Sequence, residues 1–383
     1  MFMQNPIIVL APDSFKGSMS AKEVCDAMER GIHRVLPYAE CVQVPMADGG
    51  EGTLRSLLDA VGGVTFEQKV TGPLGEPVVA EYGILADGRT AVIEMASAAG
   101  LCLVNKDSKN PLITTTYGVG ELVKACLDKG INRIILGIGG SATNDGGAGF
   151  AQALGVKFLD KAGHDLPFGG AVLRDLYSID ISSLDERIKD VDIEVACDVN
   201  NPLCGKEGAS YVFAPQKGAT SAMVEILDKA LFHYGEILEM QLGKKTNDVP
   251  GSGAAGGLGA GLLAFTKAKL RSGIDIIIEY TSLREKIENA DIVFTGEGSI
   301  DSQTFYGKVP LGVALLAKGE NKKCVAITGN ISGNIQRLYD HGIDAVFSII
   351  PRVMPIEDAL ERGAENIECV MENIMRLLVK GMK

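Results

Sequence analysis

Residues 134–150, IILGIGGSATNDGGAGF, carry the pattern from which the fold can be read. Ile134, Ile135 and Leu136, with Ile138, make a short apolar run of the kind that ends a buried parallel strand. The sequence then breaks into GGSATNDGG and turns apolar again over 148–154. This is strand, glycine-rich loop, helix. Such a loop presents several backbone N–H groups at a helix N-terminus, where the free donors and the macrodipole both favour an anion. Ser141, Thr143, Asn144 and Asp145 add polar side chains at the same place. Taken alone, the loop reads equally well as a tight turn that needs the φ/ψ freedom of glycine.

The same grammar recurs on either side. Residues 7–11 form an apolar strand ended by Pro12, followed by the loop Asp13-Ser14-Phe15-Lys16-Gly17-Ser18. Ser20-Ala21-Lys22-Glu23 is a capping box, and Val24, Met28, Ile32 and Val35 follow at helical spacing as far as Pro37. A second strand, 41–47, leads into DGGEGT and a helix over 54–60. Two successive strand–loop–helix units predict a parallel sheet with both loops on its carboxyl edge.

The rhythm changes near residue 65. Short alternating strands over 65–70, 78–85 and 90–95, with turn signals at 73–75 and 87–88, predict an antiparallel meander. A helix over 117–129 leads into the glycine loop, and a strand over 191–197 ends in DVNNP. A long helix is expected over 220–242. Glycines crowd 251–261, and a helix is expected over 262–270. The βα rhythm then returns: a strand over 291–295 with the loop GEGSIDSQT and a helix over 309–318. A strand over 324–328 with GNISGN and a helix to 341 come next, then a strand over 345–350 and a helix from 356. The architecture this implies is α/β and discontinuous. Residues 1–68 and 285–383 form one doubly wound domain, and 69–284 are an inserted mixed α/β domain. A cleft between two such domains is the default ligand site.

Composition narrows the function. A length of 383 residues favours two domains, and 46% hydrophobic residues suffice for two cores. A net charge of −12 disfavours nucleic acid, which needs a basic surface. No run of about 18 apolar residues predicts a membrane span, and a cytoplasmic setting is expected. The eight cysteines are scattered without a CxxC and read as reduced core residues.

There is no GxxxxGK[ST] P-loop. GSGAAG at 251–256 matches the dinucleotide fingerprint GxGxxG but follows no strand, and GIGGSA at 137–142 lacks the helix and the acidic residue that the fingerprint requires. These mismatches argue against a nicotinamide cofactor. The four histidines have no ligand spacing; His33 and His341 fall in helices. Asp48, Glu51, Asp145, Asp198, Glu297 and Asp301 instead lie at the ends of apolar strands amid glycine. Each alone is also a plausible turn former or helix cap, but six together sit where open α/β sheets bind ligands. Carboxylates with hydroxyls suit Mg²⁺ better than zinc. Glycine nests, carboxylates for Mg²⁺ and a loop lysine, Lys16, are the parts phosphoryl transfer needs.

APDSFKGSMSA, PMADGGEGT, GIGGSATNDGGAG, CDVNNPLCG, GSGAAGGLGAG and TGEGSIDSQT, in this order, resemble the single-chain type I bacterial glycerate kinases. The resemblance covers essentially the whole chain. It implies ATP- and Mg²⁺-dependent phosphorylation of D-glycerate, with 2-phosphoglycerate the expected product and 3-phosphoglycerate the alternative. It also implies a discontinuous Rossmann-like domain with an inserted second domain. A hydroxyacid oxidoreductase and a non-catalytic ligand binder are the competing classes.

Chemistry then suggests roles. Asp198, and after it Asp48, is expected to orient and deprotonate the attacking hydroxyl. Lys16 is expected to neutralise phosphate charge, and Glu297 and Asp301 to hold Mg²⁺. Ser14, Ser18, Gly49, Gly50, Glu51, Gly139, Gly140, Ser141, Asn144, Asp145, Gly146 and Asn201 are expected around the substrate or a phosphate. The amides near Gly139, Gly140 and Gly146 would form the cradle.

Overall fold

The structure is a computed structural model that describes residues 5–50, 52–301 and 308–380. Glu51, expected at the site, lies outside the described residues. Thirteen strands occur among the described residues: β1 (Ile7–Pro12), β2 (Glu40–Gln43), β3 (Gly63–Thr71), β4 (Pro77–Leu85), β5 (Thr90–Glu94), β6 (Arg133–Gly137), β7 (Lys157–Leu159), β8 (Ser178–Asp180), β9 (Asp192–Ala196), β10 (Lys269–Arg271), β11 (Ile292–Ile300), β12 (Lys323–Ile331) and β13 (Ala345–Ser348). They belong to two compact units. The first holds the chain up to Asp48, Arg55–Gly62, and everything from Ser272; the second holds Gly49–Leu54 and Gly63–Arg271. The protein is thus a two-domain α/β structure in which one domain is interrupted by the other.

The first unit contains a five-stranded parallel sheet in the order β13-β12-β11-β1-β2. The chain goes from β1 outward to β2, then returns through β11, β12 and β13 on the other side. The order therefore reverses between β1 and β11, the switch point at which open sheets bind ligands beyond their carboxyl ends. The helix Ala21–His33 opens with the expected capping box, Ser20 and Glu23 each bonding the other's backbone N–H. Its buried Val24, Met28 and Ile32 share a core with Ile8, Leu10, Phe294 and Ile327 of the sheet, and with Ile367 and Met371 of the helix Gly363–Lys380.

The second unit contains a six-stranded mixed sheet in the order β10-β9-β6-β5-β4-β3. The antiparallel pairing of the expected meander holds for β3, β4 and β5. β5 then pairs in parallel with β6, so meander and parallel layer are one sheet with a continuous core. β7 and β8 form a separate small antiparallel pair.

Several expected element bounds are corrected. GEGSI is strand, not loop: β11 runs to Ile300, and β12 runs beside it to Ile331, so GNI is strand as well. Glycine at 296 permits this, because a Cβ there would overlap the Ile327 carbonyl. The helix after GNIS is only Gln336–Asp340. β2 stops at Gln43 because Pro45 offers no N–H, although Val44 and Met46 still donate to Leu10 and Pro12. β13 ends at Ser348, and the final helix is two pieces, Ile356–Glu361 and Gly363–Lys380.

The largest change concerns 251–270. A helix over Ala254–Phe265 begins inside the glycine run, and 269–271 is strand β10. Ala255, Gly256 and Gly257 take left-handed φ of 53°, 68° and 90° at its start. A Cβ at Gly256 would overlap the Thr143 carbonyl, and one at Gly257 would lie 2.8 Å from the Gly146 Cα. These glycines let the helix backbone seat directly on the NDGG loop. Their left-handed backbone makes a kink that glycine adopts without strain, and regular helix follows it.

Candidate active site

At the switch point of the first unit, the ends of β1 and β11 bound a cavity of about 600 Å³. Asp13 extends the β1 ladder, its N–H donating to the Gly296 carbonyl at 2.8 Å. The chain then makes a tight turn in which Phe15 and Met19 pair, with Gly17 at φ 80°. Phe15 is buried and fixes the turn, which places Ser14, Lys16 and Ser18 on the cavity wall. Glu297 and Ser299 line the opposite side from β11, with Asp48 and Lys308 beside them. Ser18 donates to the Leu360 carbonyl, joining this polar end to an apolar one made by Ile349, Ile350, Met354, Ile356 and Leu360. Gly363 lets the last helix approach Ser18 and Met19 closely.

The polar end is electrostatically loaded. Asp13 is 8% exposed. Burial, and after it the charge of Asp48, pushes its pKa from the ordinary 3.8 to about 7; the Ser14 N–H, Lys16 and Glu297 act with smaller effect. Glu297 is buried and pairs with Lys308 at 3.2 Å. Three carboxylates and two lysines thus line one cavity. Their oxygens are hard donors of the kind Mg²⁺ takes, and a cation would relieve the strain on Asp13. Asp13, Asp48 and Glu297 are not gathered within 4.8 Å of one another. Asp301, expected to share metal binding with Glu297, lies beyond the end of β11 and is not on this cavity's wall. Asp13 does line that wall. Sequence reasoning passed it over, although the strand-end position it shares with Asp48 and Glu297 was the available signal.

The second unit presents the glycine loop differently. Gly139 and Gly140 are exposed, while every residue from 141 to 150 is buried. Gly49 and Gly50 of the DGG segment lie against it: a Cβ at Gly137 would meet the Gly49 carbonyl at 2.8 Å, and one at Gly139 the Gly50 Cα at 3.1 Å. The DGG and GIGG motifs therefore converge. Gly137 and Ala196 are in register on β6 and β9, so Asp198, exposed two residues past Ala196, shares the sheet edge of Gly139. Asn201 follows and donates to the Glu207 carbonyl.

Asp145 and Asn144 are corrected. Both are buried, and the Asp145 carboxylate accepts from the Thr116 N–H and hydroxyl at 2.8 Å and from the N–H groups of Gly147 and Gly149. Asn144 donates to Ser210. The N–H of Gly146 is likewise spent on the Gly256 carbonyl. These three shape the loop and do not line an exposed surface. Of the expected cradle, only Gly139 and Gly140 are exposed, with Ser141 buried just behind them.

Similarity to known proteins agrees with these features. The glycerate kinase family model matches residues 8–379. The chain belongs to the glycerate kinase family. It is 54% identical over 367 residues to a glycerate kinase of Bacillus subtilis (strain 168), covering 96% of each chain. It is 50% identical over 376 residues to the glycerate 2-kinase of Escherichia coli (strain K12), covering 98% of this chain and 99% of that one. A crystal structure from Salmonella typhimurium LT2, provisionally described as glycerate kinase 2, superposes with a TM-score of 0.91 at 49% identity and 99% coverage of both chains. Membership in this family makes the chain a phosphotransferase. No helix among the described residues is long and apolar enough to cross a membrane.

Proposed function

We propose that the chain transfers the γ-phosphoryl group of ATP to D-glycerate, giving 2-phosphoglycerate. The observation that carries the nucleotide assignment is the two-ended cavity at the β1/β11 switch point. Its apolar end, Ile349 to Leu360, suits a purine base. Its polar end, with Lys16, Lys308 and the Ser14 and Ser18 hydroxyls, suits a polyphosphate. Mg²⁺, held through Asp13, Asp48 and Glu297, would neutralise phosphate charge. Lys16 supplies a cation from a turn that Phe15 holds rigid, and such preorganisation is the main source of catalysis in phosphoryl transfer.

Glycerate is assigned to the second unit. The exposed amides at Gly139 and Gly140 suit its carboxylate. Asp198, at the same sheet edge, is the first candidate to orient and deprotonate the attacking hydroxyl; Asp48 is the second. The name of the Escherichia coli relative favours the 2-phospho product over 3-phosphoglycerate, and a cytoplasmic setting suits both substrates. The test is ³¹P NMR of a reaction with ATP, Mg²⁺ and D-glycerate. A 2-phosphoglycerate signal growing with ADP is expected; ADP formation independent of glycerate would contradict the reading. Asp198→Asn with an intact fold is expected to lower kcat at least about a hundredfold, the usual contribution of a positioned base. A kcat near wild type would remove Asp198 from that role.

A further inference from the structure

Lys217 is a charge the proposed function does not use. It ends the short turn Pro215–Lys217, closed by Gly218 at φ 96°, and is only 2% exposed. Its Nζ donates to the Ser141 Oγ at 2.8 Å and to the Thr143 carbonyl at 2.6 Å. Burial lowers its pKa to about 7, opposed by the charge of Asp145. An apolar side chain would fill such a position at less cost, because an ammonium loses its hydration on burial.

What the lysine holds is specific. The carbonyls of Gly140, Ala142 and Thr143 each accept from elsewhere in the unit, from Leu101 N–H, Thr114 Oγ1 and Lys217 Nζ respectively. Carbonyls fixed in this way cannot swing toward the exposed tip. The exposed residues Gly139 and Gly140 therefore sit on a backbone held from behind. Lys217 grips the first buried residue behind that tip, Ser141.

We infer that Lys217 is a positioning residue for anion recognition: it locks the Gly139-Gly140 tip in the orientation that binds the carboxylate of glycerate. The inference rests on the assignment of glycerate to this loop. Lys217→Met keeps the length of the side chain and removes the donor. Loss of a charge-assisted hydrogen bond predicts a rise of roughly tenfold or more in KM for glycerate. KM for ATP should stay unchanged, and amide hydrogen exchange should quicken over residues 137–143. Ser141→Ala, which removes one of the two contacts at little risk to folding, should raise the same KM by a smaller factor.

Gly139→Asp separates the inference from the assignment beneath it. If Gly139→Asp leaves KM for glycerate alone, the loop is not the glycerate site and both fail. If Gly139→Asp raises that KM while Lys217→Met, or Ser141→Ala should Lys217→Met not fold, leaves it unmoved, only the role of Lys217 is overturned.

Discussion

The two sheet edges that carry the family motifs handle polar groups in opposite ways. In the first unit, Asp13, Asp48, Glu297, Lys16 and Lys308 face a cavity and crowd one another, so that Asp13 is forced toward neutrality. In the second, Asp145 and Lys217 are turned inward and spent on the loop, which leaves backbone amides at the exposed tip. One edge keeps charged side chains available and uses backbone to place them. The other uses buried charge to place backbone. The first arrangement suits a highly charged ligand with a cation; the second suits a small anion recognised by geometry.

The contrast can be broken from either side. Lys16→Glu puts a fourth carboxylate on the cavity wall and should lower kcat/KM for ATP by about 10²–10³-fold, the scale of lost electrostatic stabilisation at a preorganised site; an ADP-release assay reads it. A variant with wild-type KM and kcat would show that the cavity does not hold the phosphates.

Stability against pH tests the crowding directly. The folded pKa of Asp13 lies above its unfolded value, so the native state binds more protons between about pH 4 and 7 and stability falls as pH rises through that window. Asp13→Asn removes the cost. Measured by urea unfolding without nucleotide or divalent cation, the variant should match wild type near pH 4 and exceed it at pH 8 by about 2–4 kcal/mol. Equal stabilities at both pH values would mean that Asp13 is not strained.

On the other edge, Gly257→Ala forces a Cβ at φ 90° against the Gly146 Cα. It should destabilise the protein by about 1–3 kcal/mol and raise KM for glycerate more than KM for ATP. Calorimetric unfolding and initial rates check both parts, and equal effects on the two KM values would count against separate roles for the two edges.

Parts of both units were legible because strand, glycine loop and helix leave strong local signals, as in 7–24 of the first and 134–154 of the second. What failed was the reading of glycine as loop. Gly296 lies in a long strand and Gly259 in a helix, in each case because another backbone passes too close for a Cβ, whereas Gly256 and Gly257 keep the left-handed backbone of a kink. That proximity is tertiary and leaves no local trace. The site shows the same limit. Asp48 and Glu297 were picked out as strand-end carboxylates and line the cavity with the loop lysine Lys16; Asp145 was picked out for the same reason, although its carboxylate points inward. Lys217 was missed because a lone lysine in a Pro-Gln-Lys-Gly turn looks like solvated charge; burial alone reveals it.

The most direct test of the division of labour between the edges is photolabelling with 8-azido-ATP and Mg²⁺, followed by peptide mapping. The azide sits on the purine, so the label should fall within residues 349–363 and be suppressed by excess ATP but not by glycerate alone. Labelling of residues 137–147 instead would place the nucleotide on the glycine loop and contradict the account.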